Sequence, residues 1–422
     1  MLKFVLFLLV SFLLGETICF INFKKLKLGI LKMHTELRRQ PATDEVYIRP
    51  ENSKYEVFGP PQNDLLLRVI GNKDKEKYLG EIPFWIMRQA GRYLPEYIEL
   101  RKKHDFFEIC FNPELSSEVT IMPYKRFKCD MVVIFSDILI IFVAMGVGID
   151  FKENVGPVFN KEINNLKDFK KLNLNLKDII NNLHFVYDSI YLTKKKMNNV
   201  VPVLGFAGSP FTLFTYLTKN NKKTYENSLK LIYEHPNDTH TMLKIITNIC
   251  TSHLINQIDS GSNVIQIFDS NADIVDKDFY KEFSLFYLKK VIDTIKELRP
   301  HAYIILFIKE NYHEDIKHLK ADVLSLTHKQ LANMSSQFYY KLFNNNIILQ
   351  GALDPHILLL EEKKKVEKYT SKMIDQIDFK NKYIASLGHG ILPNSKIENV
   401  HAFIQTVKSY NVNNSQNTLP VV

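Results

Sequence analysis

Eight short apolar segments, rich in β-branched and aromatic residues, recur along the chain and constrain its fold more than any other feature. They occupy residues 84–87, 131–135, 201–206, 264–268, 303–308, 323–326, 347–353 and 383–387. Their apolar residues are continuous rather than alternating, which is typical of parallel strands buried on both faces. Stretches with helical spacing, such as 239–258, lie between them. This alternation predicts an α/β fold, a single (β/α)8 TIM barrel, with an open doubly wound sheet as the alternative.

Most of these segments run directly into polar or glycine-rich residues. Arg88 and Arg92 follow the first segment, Asp137 the second, Ser270 the fourth and His389 the eighth. Barrels of this class build their active sites at the carboxyl ends of the strands. The pattern therefore favours the barrel and predicts a cleft at that end.

The stretch 83–97 gives the first indication of what the cleft binds. It is a short apolar strand followed by a loop with two arginines four residues apart. Gly91 permits an unusual backbone angle there, and Pro95 prevents a helix from starting earlier. Two guanidinium groups on such a loop form a place to hold anions, although a basic surface turn would look the same.

Charge and cysteine content exclude two classes of function. The formal net charge is +9, but residues 1–42 hold seven basic and two acidic side chains, so 7 − 2 = +5 of it lies in a leader. No basic helix or basic and aromatic stripe remains in the rest, which argues against nucleic-acid binding. The four cysteines, Cys19, Cys110, Cys129 and Cys250, have neither disulfide-framework nor zinc-ligand spacing. We therefore predict no metal site.

The leader predicts targeting in two steps, first by a signal peptide and then by a transit-like segment. Residues 1–20 contain an apolar run of eleven residues after Lys3, which fits a signal peptide and is too short to span a bilayer. Residues 21–59 are a basic, transit-like segment followed by a polar linker, and 413–422 form a polar tail. We predict import into a plastid such as an apicoplast, and no membrane span in the mature protein. An endoplasmic-reticulum, secreted or cytoplasmic protein is the alternative.

Five motifs, at 83–97, 135–139, 205–213, 350–355 and 387–390, closely resemble the uroporphyrinogen decarboxylase family of haem biosynthesis. The resemblance extends in unbroken order over 60–412. It implies a (β/α)8 barrel, a homodimer, and removal of the four acetate carboxyl groups of uroporphyrinogen III to give coproporphyrinogen III. It also implies that no cofactor is used.

The resemblance assigns a role to each candidate site residue. Asp137 corresponds to the family's central aspartate, which accepts hydrogen bonds from the pyrrole N–H groups and favours a cationic intermediate. Arg88 and Arg92 correspond to two arginines that bind substrate carboxylates, and Arg88 is also a candidate to place the reacting proton. Arginine is a poor general acid because its pKa is above about 12. Taken alone, an aspartate after a strand could equally cap a helix.

Further substrate contacts follow from the same resemblance. His389 and Tyr216 are expected to hydrogen-bond substrate carboxylates, and both are counted with Asp137 and Arg88 as catalytic. Ser270 is expected to contact substrate, with a helix N-cap as the alternative. Four apolar residues are expected to wall the cleft, or simply to fill the barrel: Phe206, Phe268, Phe135 and Met87. Arg101 is as plausible on a solvated helix as at the rim.

The chain departs from the family pattern at three places. Relatives end the sixth strand in Leu-Asp-Trp, whereas this chain has Leu326-Thr327-His328. Ala352 stands where relatives have asparagine, and Asn271 where they have histidine. None of these positions is assigned to chemistry, so we expect altered packing around the site rather than lost activity.

Two other functions fit the sequence less well. A related barrel that transfers methyl groups to thiols or corrinoids would need a zinc site of His and Cys near the strand ends, and no cysteine lies at one. A degenerate porphyrinogen binder would not need the full set of polar residues. The set named above is complete, and this favours the enzyme.

Overall fold

Strands form where the apolar segments were predicted, and seven of them build one curled parallel sheet in the order β1-β4-β5-β6-β7-β8-β9. In the computed structural model the strands are β1 (Val132–Val133), β2 (Ile149–Lys152), β3 (Gly156–Phe159), β4 (Val203–Gly208), β5 (Val264–Asp269), β6 (Tyr303–Ile308), β7 (Val323–Ser325), β8 (Ile348–Gln350) and β9 (Tyr383–Ile384). β2 and β3 pair separately as an antiparallel hairpin. Sheet order thus follows chain order, as it does in a barrel.

The structure describes residues 47–410, except 52, 54, 73–79, 153–155, 221, 223, 310–315, 317, 336, 338–340 and 343. Residues 47–410 belong to one compact unit. The predicted signal peptide, most of the transit-like segment and the tail lie outside the described residues and stay predictions.

The first predicted strand closes the barrel. Phe84 forms a parallel bridge with Ala385, and the Trp85 amide donates to the Ala385 carbonyl at 3.2 Å. On its other side the Asp130 amide donates to the Phe84 carbonyl at 3.0 Å. The segment therefore joins the β9 edge to the β1 edge, and the predicted (β/α)8 barrel is confirmed. The pairing is short because Arg88 takes a left-handed backbone conformation, with φ +60°, which ends the extended stretch.

Helices surround the sheet and connect its strands. The α-helices are Leu65–Gly71, Pro95–Arg101, Phe106–Phe111, Pro113–Phe127, Ile140–Ala144, Leu166–Phe169, Leu176–Asn182, His184–Lys196, Pro210–Thr218, Glu226–Glu234, Pro236–Asp259, Lys277–Phe279, Phe286–Leu298, His328–Ala332, Lys363–Asp375 and Ile397–Ser409. Shorter turns of 3₁₀ type span Ala272–Ile274, Pro355–Leu359 and Lys380–Lys382, and a π-helical turn spans Tyr280–Leu285. The predicted helix 239–258 lies within Pro236–Asp259.

Apolar side chains pack in two layers, which is what strands buried on both faces require. One layer lies between strands and helices, and the other fills the barrel with residues such as Leu204, Val264 and Ile384. Leu66 and Val69, from the helix Leu65–Gly71, belong to the interior layer. That helix therefore plugs the amino-terminal end of the barrel, and the opposite end is left for a site.

Residues 47–59 were predicted as part of a linker; their described members, all but 52 and 54, form no helix or strand but lie against the barrel's outer helices. Tyr47 donates a hydrogen bond to Asp259, and the Arg299 guanidinium lies 5.0 Å from the centre of its ring. The Tyr55 hydroxyl donates to Asp188 Oδ1 at 2.9 Å. Aromatic side chains thus fix this segment without regular backbone structure.

None of the helices in the described part of the chain is long and apolar enough to span a membrane.

Candidate active site

Arg88 lies where the closing segment leaves the barrel, at the carboxyl ends of the strands. Its left-handed backbone conformation is unusual for a residue with a side chain and is a form of strain that recurs at functional sites. The side chain crosses directly over Gly390: a Cβ placed on that glycine would lie 2.3 Å from Arg88 Cδ. The Gly388-His389-Gly390 loop is therefore shaped by glycine to let Arg88 reach across it.

Asp137 follows β1 by a few residues and is partly buried. Its Oδ1 accepts a hydrogen bond of 2.8 Å from the Leu139 amide, so the carboxylate also orders the turn before the helix Ile140–Ala144. Burial raises the pKa of Asp137, while the Leu139 N–H and the Arg88 charge act in the opposite direction. A carboxylate with little solvent and few donors is one that a cationic or N–H-rich ligand would stabilise.

Tyr216 is in the helix Pro210–Thr218 and is partly buried. Burial raises its pKa, the Asp137 charge raises it further, and Arg88 and Lys309 oppose the rise. The phenol therefore lies within electrostatic reach of both predicted central residues. With a raised pKa it stays protonated and is available as a hydrogen-bond donor.

His389 lies on the same side as Arg88. His389 is exposed to solvent, but neighbouring atoms remove part of its hydration and lower its pKa, and the Arg88, Lys309 and His328 charges lower it further. A contact with the Gly390 backbone acts in the opposite sense. At neutral pH His389 is therefore neutral, and it would bind a carboxylate by a hydrogen bond rather than by charge.

Lys309 was not among the predicted site residues. It follows β6 directly, and its Nζ lies 2.7 Å from Asp273 Oδ2. Its charge lowers the pKa of both Tyr216 and His389, so it lies near both of them. The signal in the sequence was its position immediately after an apolar segment, shared with Arg88 and Asp137.

The remaining predicted residues occupy different depths. Arg92 is exposed and Ser270 partly buried. Within the described residues neither Arg88 nor Arg92 takes part in an ion pair. Arg101, by contrast, donates to the His104 carbonyl at 2.7 Å. The two loop arginines are thus available for anionic ligands, and Arg101 is engaged locally.

Of the four predicted wall residues, two remain accessible. Phe206 and Phe268 are partly buried, with ring centres 5.9 Å apart in an edge-to-face arrangement. Met87 is buried in the barrel interior, and the Phe135 ring lies 5.5 Å from that of Tyr97 in the outer layer. Met87 and Phe135 are thus core residues, and the assignment of the partly buried Phe206 and Phe268 to the cleft wall stays a prediction.

Two departures from the family pattern have local hydrogen-bond or ionic roles. Thr327 caps the helix His328–Ala332, and His328 Nε2 lies 3.7 Å from Asp354 Oδ2. Asn271 Nδ2 donates to Thr215 Oγ1 at 2.8 Å. The third departure, Ala352, is 4% exposed and simply packs in the core.

In the described part of the chain, no three His, Cys, Asp or Glu side chains converge as the ligands of a metal ion would. Cys110, Cys129 and Cys250 are buried, and burial raises the pKa of each thiol. A zinc site of the methyltransferase type needs thiolates at the strand ends. The cysteines here are inert core residues.

Taken together, the fold and the site define a parallel barrel whose mouth carries the Asp137 carboxylate, the Lys309–Asp273 pair and two arginines that have no ion-pair partner among the described residues. The chain matches the family model "Uroporphyrinogen decarboxylase (URO-D)" over residues 61–410. It is 37% identical over 353 residues to uroporphyrinogen decarboxylase of Chloroherpeton thalassium, covering 82% of this chain and 97% of that one. With the Rickettsia bellii enzyme it shares 38% identity over 333 residues, or 78% and 95% of the two chains. The chain belongs to the uroporphyrinogen decarboxylase family, as its motifs predicted.

Solved structures agree on the fold. A methyltransferase from Methanosarcina mazei superposes with a TM-score of 0.66 at 18% sequence identity, covering 83% of this chain and 98% of that one. At that identity the likeness concerns architecture alone.

Proposed function

We propose that the chain decarboxylates the four acetate side chains of uroporphyrinogen III to give coproporphyrinogen III. The observation that carries the proposal is the partly buried Asp137, which stands among the cations of the mouth in a chain of this family. The substrate has the complementary charge pattern, since carboxylates surround a centre of pyrrole N–H donors.

The rim binds the carboxylates. Arg88 and Arg92 can each hold a carboxylate through two parallel N–H bonds, because a guanidinium matches that geometry. Lys309 adds a point charge, and Tyr216 and neutral His389 add hydrogen-bond donors. Charged hydrogen bonds of this kind are stronger in a partly desolvated cleft than in water.

The centre stabilises the reacting ring. Asp137 accepts hydrogen bonds from the pyrrole N–H groups, and this holds the macrocycle with its nitrogens toward the carboxylate. When a pyrrole carbon next to the acetate is protonated, the ring becomes cationic, and the negative charge of Asp137 favours that state. The bond to the carboxyl carbon then breaks, carbon dioxide leaves, and its electron pair neutralises the ring. The product side chain gains a proton and the ring returns the one it received.

The pyrrole ring itself accepts these electrons, so the proposed reaction uses no cofactor. Arg88 is the residue best placed to deliver the first proton, directly or by orienting a water molecule. Its high pKa makes the second route chemically easier. The carboxylate-binding role of Arg88 does not depend on which route operates.

The test is an anaerobic assay with chemically reduced uroporphyrin III, in which products with seven, six, five and four carboxyl groups are oxidised and separated. The proposal predicts stepwise conversion to the four-carboxyl product. Unchanged substrate, bound with micromolar affinity, would instead identify a porphyrinogen-binding homologue.

Assembly and location are separate proposals. Dimer formation, implied by the family, would be checked by sedimentation of the purified chain. Plastid import would be checked by locating a fluorescent fusion of residues 1–80. Retention of that fusion in the endoplasmic reticulum, its secretion, or diffuse cytoplasmic fluorescence would contradict targeting in two steps.

A further inference from the structure

Asp269, the last residue of β5, is a fully buried carboxylate that the proposed chemistry does not use. Hydroxyl groups surround it. Ser209 donates to its Oδ1 at 2.6 Å and Thr212 to the same oxygen at 3.2 Å, while Ser284 donates to Oδ2 at 2.7 Å. A carboxylate is costly to bury unless hydrogen bonds replace its lost hydration, and these three donors do so here.

The surrounding hydroxyl groups supply enough donors for an ionised Asp269. Ser209 Oγ already accepts the Thr212 amide hydrogen at 3.0 Å, so its own proton points at the carboxylate. Burial raises the pKa of Asp269, and the hydroxyls of Ser209, Ser284, Tyr280 and Thr212 oppose the rise. An ionised carboxylate can accept all of these bonds, because it has acceptor sites and no proton of its own to place.

These bonds join three elements at the mouth. Ser209 is the N-cap of the helix Pro210–Thr218, which carries Tyr216. Ser284 belongs to the π-helical turn Tyr280–Leu285, a type of distortion that recurs near functional sites. The Lys309 amide also donates to the Asp269 carbonyl at 3.2 Å.

Asn271 links the loop after β5 to the helix Pro210–Thr218 at a second point. Its Nδ2 donates to Thr215 Oγ1 at 2.8 Å, one residue before Tyr216, and its Oδ1 accepts from the Tyr225 hydroxyl at 3.2 Å. Ser270, a predicted substrate contact, lies between the two fastening residues. The loop and the helix are thus held together both at the helix start and beside the phenol.

We propose that Asp269, supported by Asn271, is a positioning residue for the decarboxylation. It holds the helix Pro210–Thr218 against the end of β5, so that Tyr216 and Ser270 meet the substrate from fixed places on one side of the cleft. The inference rests on the proposed function and adds to it residues that act without touching the substrate.

A double-mutant cycle in the full chain tests this. Asp269→Asn keeps the shape but replaces an acceptor oxygen by an N–H₂ group, so one hydroxyl must turn away and the helix start loosens. We expect kcat/KM to fall about tenfold, since small misplacements of a contacting group cost that much or more. In a Tyr216→Phe background, the same change is expected to cost about twofold or less, because the group it positions is gone. Equal losses in the two backgrounds would overturn the proposal.

A second variant covers the case in which Asp269→Asn does not fold. Ser284→Ala removes one donor to Oδ2 and leaves the carboxylate in place, and we expect about a threefold loss that Tyr216→Phe again abolishes. If that loss persists in the Tyr216→Phe chain, Asp269 has a structural role only.

Asp130 is the matched control. It is a buried carboxylate at the opposite end of the barrel, where it accepts the Phe84 amide and Asn63 Nδ2, each at 2.9 Å. Asp130→Asn is expected to lower the melting temperature. It should change kcat/KM by the same factor in the wild-type chain and in the Tyr216→Phe chain. An inactive wild-type chain would overturn the proposed function along with this inference, whereas an active chain with a fully additive cycle would overturn this inference alone.

Discussion

The two ends of the barrel differ in how their charged side chains are paired. At the amino-terminal end, charged groups have close partners: Asp322 Oδ2 accepts Lys296 Nζ at 2.6 Å and the Ile304 amide at 2.7 Å, and Arg299 binds Asp259 through two bonds of 2.6 and 2.8 Å. At the carboxyl-terminal end Lys309 is paired with Asp273, but Arg88 and Arg92 have no ion-pair partner among the described residues.

The contrast separates charges that serve the fold from charges that serve a ligand. A buried or half-buried charged group without a partner costs free energy, so such groups are usually paired within a folded chain. Arg88 and Arg92 are exposed and solvated by water, so they need no partner for folding and remain available to the proposed anionic substrate. We therefore expect substitutions at the carboxyl-terminal end to lower activity and substitutions at the amino-terminal end to lower stability.

The largest difference is expected between two aspartates. Asp137→Asn should lower kcat about 100-fold or more, because the charge that favours the cationic ring is lost. It should leave the free energy of unfolding unchanged or higher, since a poorly solvated charge disappears. Anaerobic turnover and thermal unfolding measure the two effects.

Asp322→Asn is the control at the other end. It should keep kcat within about twofold and destabilise the fold by roughly 1–3 kcal/mol, because a charged hydrogen bond is weakened and a lysine loses its partner. Near wild-type turnover in a well-folded Asp137→Asn chain would end the assignment of Asp137 to the centre.

The next effect concerns a glycine. Gly390→Ala puts a methyl group where Arg88 Cδ and Cγ now lie, so the arginine must move away from the mouth. We expect a loss of about tenfold or more in kcat/KM, as for a misplaced contacting group.

Gly59→Ala serves as its control, since a Cβ there meets nothing within 4 Å. Combining Gly390→Ala with Arg88→Ala should cost little beyond Arg88→Ala alone. If the losses caused by Gly390→Ala and Arg88→Ala multiply in the double variant, Gly390 acts independently of Arg88.

Arg92→Met should mainly weaken binding. We expect KM to rise about tenfold, the equivalent of 1.4 kcal/mol, with a small change in kcat, and the rise should shrink at high salt because ions screen exposed charges. The exposed Arg68, paired with Asp64 at 2.8 Å, offers a comparison at the other end. Arg68→Met should leave KM unchanged, and an equal KM increase in both variants would point to a general charge effect.

The smallest effect is a shift in pH dependence. Protonated Asp137 accepts fewer pyrrole N–H bonds and has no negative charge to favour the cationic ring, so activity should fall as pH decreases through its raised pKa. Because Arg88 lowers that pKa, Arg88→Met should move the acid limb of the kcat/KM profile to higher pH. An acid limb that stays in place, or moves down, would contradict the coupling.

Folding stability follows the same sign. A carboxyl group with a higher pKa in the folded state than in the unfolded state binds more protons when folded. The contribution of Asp137 to stability is therefore present at low pH and is lost as pH rises through the raised pKa. The usual paired aspartate behaves in the reverse way.

The sequence was most informative where function depends on position along the chain. Arg88, Asp137 and His389 were recognisable because each follows an apolar segment, and parallel strands bring such ends together. Contacts between distant residues left no such signal. Nothing local shows that Gly390 makes room for Arg88, or that Asp269 collects hydroxyls from Ser209 and Ser284.

Residues 47–59 illustrate the same limit. A polar segment without periodicity predicts a linker, because pattern rules read burial along a helix or strand. Here individual aromatic side chains provide the attachment. Tyr55 and Phe58 lie 5.4 and 5.5 Å, centre to centre, from the ring of Tyr191. Such contacts are made with outer helices that are distant in the chain, so the local sequence pattern does not reveal them.

The attachment of that segment also sets a limit on proteolytic maturation. Cleavage upstream of Tyr47 would leave the contacts with Asp259 and Arg299 intact, whereas cleavage at Pro60 would strip them from the enzyme. If the leader is removed as we propose, we therefore expect cleavage before Tyr47, which would leave the contacts of residues 47–59 with the outer helices in place.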